Sequence, residues 1–203
     1  MVERPDIILA SGSRFRKKML DDAGLTFRVI PADVDEAAIK AACTENNPDM
    51  DGADIAEILA RAKAEQVSRD FPSALVIGAD QVLSHKRELL SKPTSTAQAR
   101  RHLLSLRGGT HTLPTAVVLA LNGNTDWSHV DEPALTMRLF SHAFLEDYLA
   151  AEGIAVTETV GGYALEGRGG QLFDTIDGNY FSIIGLPLLP LLAELRSRGA
   201  LLS

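Results

Sequence analysis

The stretch that most constrains this chain lies near its start. Ile7 to Ala10 is a short continuous apolar run, Ser11-Gly12-Ser13 breaks it, and a helix-like segment from Arg14 to Ala23 follows until Gly24 stops it. A buried strand that passes through a small-residue turn into a helix opens an α/β domain. The alternation continues. Phe27 to Ile30 reads as a second strand ended by Pro31, and a polar stretch containing Asn46, Asn47, Pro48 and Gly52 reads as a loop or insertion. Ala53 to Asp70 carries a long helical pattern, Ala74 to Ala79 a buried strand, and Thr96 to Leu106 a helix capped by Thr94 or Ser95. Thr115 to Leu121, rich in β-branched residues, reads as a central strand with Leu135 to Leu139 as its partner, and Ser141 to Glu152 as the next helix. The last helix is expected from near Pro187 to Gly199. The strands keep no strict βαβ rhythm, so the expected class is α/β, a mixed sheet flanked by helices.

At 203 residues and 45% apolar content, the chain has enough material for one substantial core, and residues 1–203 are expected to form a single, bilobed unit with a central cleft. A formal charge of -7 argues against a broad footprint for nucleic acid or an anionic membrane, while leaving room for a locally basic pocket. Cys43 is the single cysteine and reads as a surface thiol, so no internal disulfide exists and a reducing, cytoplasmic compartment is expected. Glu3, Arg4, Pro5 and Asp6 precede only a short apolar run, unlike a secretory signal. The most apolar stretch, Phe181 to Ala193, is interrupted by Gly185, Pro187 and Pro190 and falls short of the roughly 20 residues that span a bilayer.

Three groups of residues look chemical. Arg14, Arg16, Lys17 and Lys18 crowd the first turns of a helix, where the macrodipole disfavours each cation by roughly 0.3–1 kcal/mol. With Ser11, Gly12 and Ser13 they read either as a phosphate cradle or as a solvated basic face. Asp33, Asp35 and Glu36 follow a strand, and Asp80 ends the run Val76-Ile77-Gly78-Ala79-Asp80, the strand-end position where α/β enzymes place reacting groups. Glu36 and Asp80 suit a hard cation such as Mg²⁺ on a triphosphate, although Asp33 to Glu36 alone also reads as a turn. Lys63 shares a helical stripe with Ala56, Ala60 and Val67, so it either meets an anion or snorkels outward. Lys92 sits beside the rigid Pro93.

The order of these motifs resembles the Maf family. The match runs through Leu9-Ala10-Ser11-Gly12-Ser13 with Arg16, Asp35-Glu36, Lys63-Ala64, Gly78-Ala79-Asp80, Lys92-Pro93, Leu106-Arg107-Gly108-Gly109-Thr110-His111, Thr115-Ala116-Val117, Met137-Arg138-Leu139, Glu166-Gly167 and Gly185-Leu186-Pro187-Leu188. The resemblance implies an enzyme that hydrolyses a nucleoside triphosphate to the monophosphate and pyrophosphate with a divalent metal, Mg²⁺, Mn²⁺ or Co²⁺. It implies Asp80 as proton acceptor, Glu36 and Asp80 at the metal, and Ser11, Ser13, Arg16, Lys63 and Lys92 on the phosphates. A homodimer is also implied.

Phe15, Gln81 and Glu166 fall where the family's branches differ at the base, and they resemble the branch that acts on 7-methyl-GTP rather than the one that acts on dTTP and UTP. The chemistry agrees, because 7-methylguanine is cationic and an aromatic face attracts a cation by roughly 0.5–2 kcal/mol. A carboxylate at Glu166 accepts from both N1–H and N2–H of guanine. Arg14 replaces the usual proline after Ser13, Lys17 an arginine, Ser91 a frequent glycine, and Ala37 to Gly52 is rebuilt. Two other readings remain at this level: a broader or pyrimidine-directed pyrophosphatase, and a non-enzymatic regulator of cell division.

Overall fold

The computed structural model describes residues 5–47 and 49–202. The first sheet has the order β2-β1-β3-β7-β8, from β1 (Ile7–Leu9), β2 (Arg28–Val29), β3 (Leu75–Gln81), β7 (Thr115–Leu121) and β8 (Asn124–Asp131). β1 runs parallel to β2 and β3, whereas β3–β7 and β7–β8 are antiparallel, which makes the sheet mixed as expected. The second sheet is antiparallel throughout, in the order β10-β9-β6-β4-β5, from β4 (Leu83–His85), β5 (Glu88–Leu90), β6 (Thr110–Thr112), β9 (Ala134–Met137) and β10 (Phe173–Asp177).

Side-chain alternation divides the core. Ile7, Leu9 and Ile77 pack with Leu20 of α1 (Arg14–Asp22) and with Leu191 and Leu195 of α7 (Leu188–Ser197) on one face of the first sheet. Ile8, Val76 and Val118 pack on the other face against Ile55, Leu59 and Val67 of α3 (Gly52–Asp70). A third cluster joins Leu83 and Leu135 of the second sheet to Leu103 of α4 (Thr96–Leu106) and Leu145 of α5 (His142–Glu152). A further short helix, α6 (Tyr180–Ile183), precedes α7. Among the described residues, no helix is long and apolar enough to cross a membrane.

Three expectations need correction. The polar stretch begins as a helix, α2 (Glu36–Asn46), whose N-cap Asp35 accepts from Ala38 N. Its alanines favour helix, and the irregular part shrinks to the few residues before Gly52, among which Pro48 lies outside the described residues. β7 pairs with β8 rather than with the Leu135 strand, because Asn122 (φ 52°) and Gly123 (φ 76°) supply the positive φ values of a tight hairpin turn. β9 joins the second sheet instead. Finally, Cys43 is buried, packed in the α3 core.

Candidate active site

β3 and α3 touch closely enough to dictate a residue. A Cβ built on Gly78 would lie 2.3 Å from the Ala60 carbonyl oxygen and 2.7 Å from Ala64 Cβ, so only glycine permits this approach. The approach brings Lys63, on the buried face of α3, against Asp80 near the end of β3. Lys63 Nζ donates to Asp80 Oδ1 at 2.6 Å and lies 2.6 Å from Glu36 Oε1. Lys63 therefore meets anions and does not snorkel. Asp80 Oδ2 is buried and has no hydrogen-bond partner among the described residues.

These groups open onto a cavity of about 500 Å³ whose lining includes Ser13, Phe15, Arg16, Glu36, Lys63, Asp80, Gln81, Lys92 and Glu166. Every site residue that the family resemblance implies thus lines it, except Ser11, which hydrogen-bonds to Arg16 behind it. Partial burial pushes the Glu36 carboxyl up, but the hydrogen bond and charge of Lys63, with Lys40 and Lys92, outweigh burial and hold it below the ordinary carboxylate range.

Of the crowded cations on α1, only Arg16 turns inward. Its Nε donates to Gly185 O at 2.8 Å and its Nη1 to Ser11 Oγ at 3.0 Å. Burial lowers the Arg16 pKa, against the raising effect of Asp80 and Glu36. Ser13 caps the helix by accepting from Arg16 N. Arg14 pairs with Glu158, Lys17 with Asp21 and Lys18 with Asp22, so those three form the solvated face rather than a cradle. Lys92 lines the cavity from an exposed position, and desolvation there and then the charge of Arg16 lower its pKa. Asp33 and Asp35 stay outside, Asp33 through its backbone on Gln66 and Asp35 as a helix cap.

At the other side of the cavity, the Gln81 amide is held by three acceptors. Its Nε2 donates towards Thr115 Oγ1 at 2.9 Å and the carbonyl oxygens of Ser182 and Ile183, each at 3.0 Å. The Thr115 hydroxyl spends its own hydrogen on Leu113 O or Ser182 O, so it can only accept from Gln81. Reversing the amide would set oxygen against oxygen, so the donors of Gln81 are committed to these partners and its Oε1, an acceptor, has no hydrogen bond among the described residues. Glu166 adds a carboxylate, and Phe15 a ring over which the Arg14 guanidinium sits at 4.9 Å. Tyr163 follows Gly161 (φ 78°) and Gly162 (φ 80°) and walls the same space, its hydroxyl 2.6 Å from His111 Nε2. A second cavity of about 260 Å³ adjoins the first, sharing Phe15, Tyr163 and Glu166.

Sequence reasoning misses Lys40, which lines the cavity one helical turn after Glu36, because the polar residues that follow make its helix look like a loop or insertion. The Gly161-Gly162-Tyr163 turn is read from the sequence as shaping the pocket near Glu166, with no contact assigned, and Tyr163 does line the cavity with Glu166. The Glu36-to-Lys40 spacing was the available signal for Lys40.

A buried carboxylate with one oxygen anchored and one free is suited to taking a proton, and the surrounding cations are suited to a polyanion. Residues 6–198 match the family model described as Maf-like protein. The chain is 50% identical over 195 residues to the 7-methyl-GTP pyrophosphatase of Mesorhizobium japonicum, covering 96% of this chain and 97% of that one. It is 48% identical over 199 residues to the nucleoside triphosphate pyrophosphatase of Rhodospirillum rubrum, covering 98% of each. It is also 47% identical over 195 residues to a protein of the same description from Granulibacter bethesdensis, covering 96% and 98%. The sequence motifs and the family match converge on one assignment: the chain belongs to the Maf family.

Proposed function

We propose that this chain is an enzyme that hydrolyses a nucleoside triphosphate to the monophosphate and pyrophosphate, with 7-methyl-GTP as its preferred substrate. The observation that carries the reading is Asp80, whose Oδ1 is fixed by Lys63 while its buried Oδ2 has no partner among the described residues. The names of the relatives support the reaction, and the acceptors at Gln81 and Glu166 support the base.

In this reading the nucleotide base lies against Phe15, Gln81 and Glu166, and the phosphates reach towards Arg16, Lys63 and Lys92. A water attacks the α-phosphorus and gives its proton to Asp80. The bond from that phosphorus to the bridging oxygen breaks, and the oxygen leaves with pyrophosphate. Arg16, with Ser11 behind it, and Lys92 stabilise the charge that spreads over the phosphoryl oxygens. Ser13 fixes the start of the helix that carries Arg16.

The donor set fits a hard divalent cation. Among the described residues, no group of three or more His, Cys, Asp and Glu side chains is placed to hold a metal. Glu36 and Asp80 are two carboxylates, and such ions use one or two carboxylates together with substrate phosphates and water. Glu36, together with Asp80, would hold Mg²⁺, Mn²⁺ or Co²⁺, which when bound would neutralise phosphate charge. The whole chain, 1–203, would act as one catalytic unit.

The test is product analysis with 7-methyl-GTP, GTP, UTP and dTTP under Mg²⁺ or Mn²⁺. Pyrophosphate and 7-methyl-GMP released fastest from the methylated nucleotide support the reading. A lead for UTP or dTTP would remove the base assignment, and no hydrolysis of any of them would remove the reaction.

A further inference from the structure

We propose that Lys40 is a further phosphate-binding residue and that it holds the leaving pyrophosphate end of the substrate, an inference that rests on the proposed hydrolysis of a triphosphate in this cavity. Lys40 stands one turn after Glu36 on α2, with the carboxylate N-terminal to the lysine, the spacing and order that favour an ion pair along a helix. That pair is not formed. Glu36 Oε1 turns to Lys63 at 2.6 Å, and Lys40 has no salt bridge or side-chain hydrogen bond among the described residues. Lys40 is half-buried and lines the cavity, as do Glu36, Ala37, Ser91 and Lys92. An ammonium left without its helical partner and turned to a cavity is available to an anion.

The charge of the lining favours a cation at this place. Lys63 is already shared by two carboxylates, so it and its partners together carry net negative charge. Arg16 and Lys92 are the other cations lining the cavity, against the roughly four negative charges of a triphosphate at neutral pH. Lys40 adds one further cation on the protein's side.

Chain order locates it along the substrate. Phe15 is followed by Arg16 and Asp80 by Gln81, so the base wall and the reacting carboxylate are adjacent, and the α-phosphate belongs beside them. α2 and the segment after β5 contribute Glu36, Lys40, Ser91 and Lys92 to the cavity and nothing to the base wall. The phosphates farther from the base, which depart as pyrophosphate, fall to Lys40 and Lys92.

Titration calorimetry on the full chain with inorganic pyrophosphate, and separately with 7-methyl-GMP, tests this in wild type, Lys40→Gln and Lys40→Arg. The inference expects Lys40→Gln to weaken pyrophosphate by about tenfold, the weight of one charge-assisted contact. Lys40→Arg should restore most of that affinity, and 7-methyl-GMP should bind all three proteins alike. Pyrophosphate bound equally by wild type and Lys40→Gln would overturn it, as would an equal loss for 7-methyl-GMP. A wild type that bound neither would instead remove the underlying reading of the cavity, and the inference with it.

Discussion

The ammonium of Lys63 donates to Asp80 Oδ1 at 2.6 Å, a contact made within the buried interface of α3 and β3. Removing one partner of a buried pair leaves an uncompensated charge, at a cost of about 3–5 kcal/mol. Lys63→Met should therefore lower the urea midpoint and also reduce hydrolysis by about 100-fold or more, since Asp80 loses its anchor. An Asp80→Asn/Lys63→Met double variant should recover part of the stability and none of the activity.

Gly78 makes that contact possible. Gly78→Ala places a methyl 2.3 Å from the Ala60 carbonyl oxygen, and that backbone atom cannot swing away as a flexible side chain would. Overpacking of this kind costs about 1–3 kcal/mol. Thermal unfolding should show a lower Tm by several degrees, and kcat should fall because α3 shifts Lys63 from Asp80.

Two residues lining the cavity carry acceptors for the proposed base, Gln81 through Oε1 and Glu166 through its carboxylate. Guanine offers adjacent donors at N1 and N2, whereas uracil offers one donor between two acceptors. Glu166→Gln should lower kcat/KM for 7-methyl-GTP by about 10–100-fold while changing that for UTP far less. Equal losses on both nucleotides, measured side by side, would contradict the base assignment.

His111 gives the fold a pH dependence. Burial, and then the charge of His85, lower its pKa to about 4, against an ordinary value near 6.5. Between these values the unfolded chain binds the proton and the folded chain does not. Stability is thus fully present above about pH 6.5 and declines as pH falls towards about 4, by at most about 3 kcal/mol. His102, lowered by burial and Arg101, acts in the same direction. Urea midpoints at pH 7.5 and 5.0 should differ in wild type and differ less in His111→Gln.

The side chains proposed as catalytic are legible because they sit on short motifs fixed by local structure. Asp80 lies next to the end of a buried strand, Arg16 follows a small-residue turn, and Lys63 lies on an otherwise apolar stripe, each visible within a few residues. What was hidden depends on partners distant in the chain. The orientation of Gln81 is set by carbonyls at 182 and 183, and the sharing of Lys63 by the meeting of three elements. The β7–β8 hairpin and α2 are different cases, since Asn122-Gly123 and the alanines after Asp35 carried local signals. Asn46, Asn47 and Pro48 masked the second by making the segment look polar and broken, and Lys40 went unseen with it.

Asp80 is the centre of the account, and release of pyrophosphate from 7-methyl-GTP by wild type and Asp80→Asn, at matched protein and Mg²⁺ concentrations, tests it most directly. The substitution keeps the shape of the side chain and removes its capacity to take a proton. The account predicts a fall in kcat of at least about 100-fold with the fold intact by circular dichroism. An Asp80→Asn protein that turned over at the wild-type rate would contradict it.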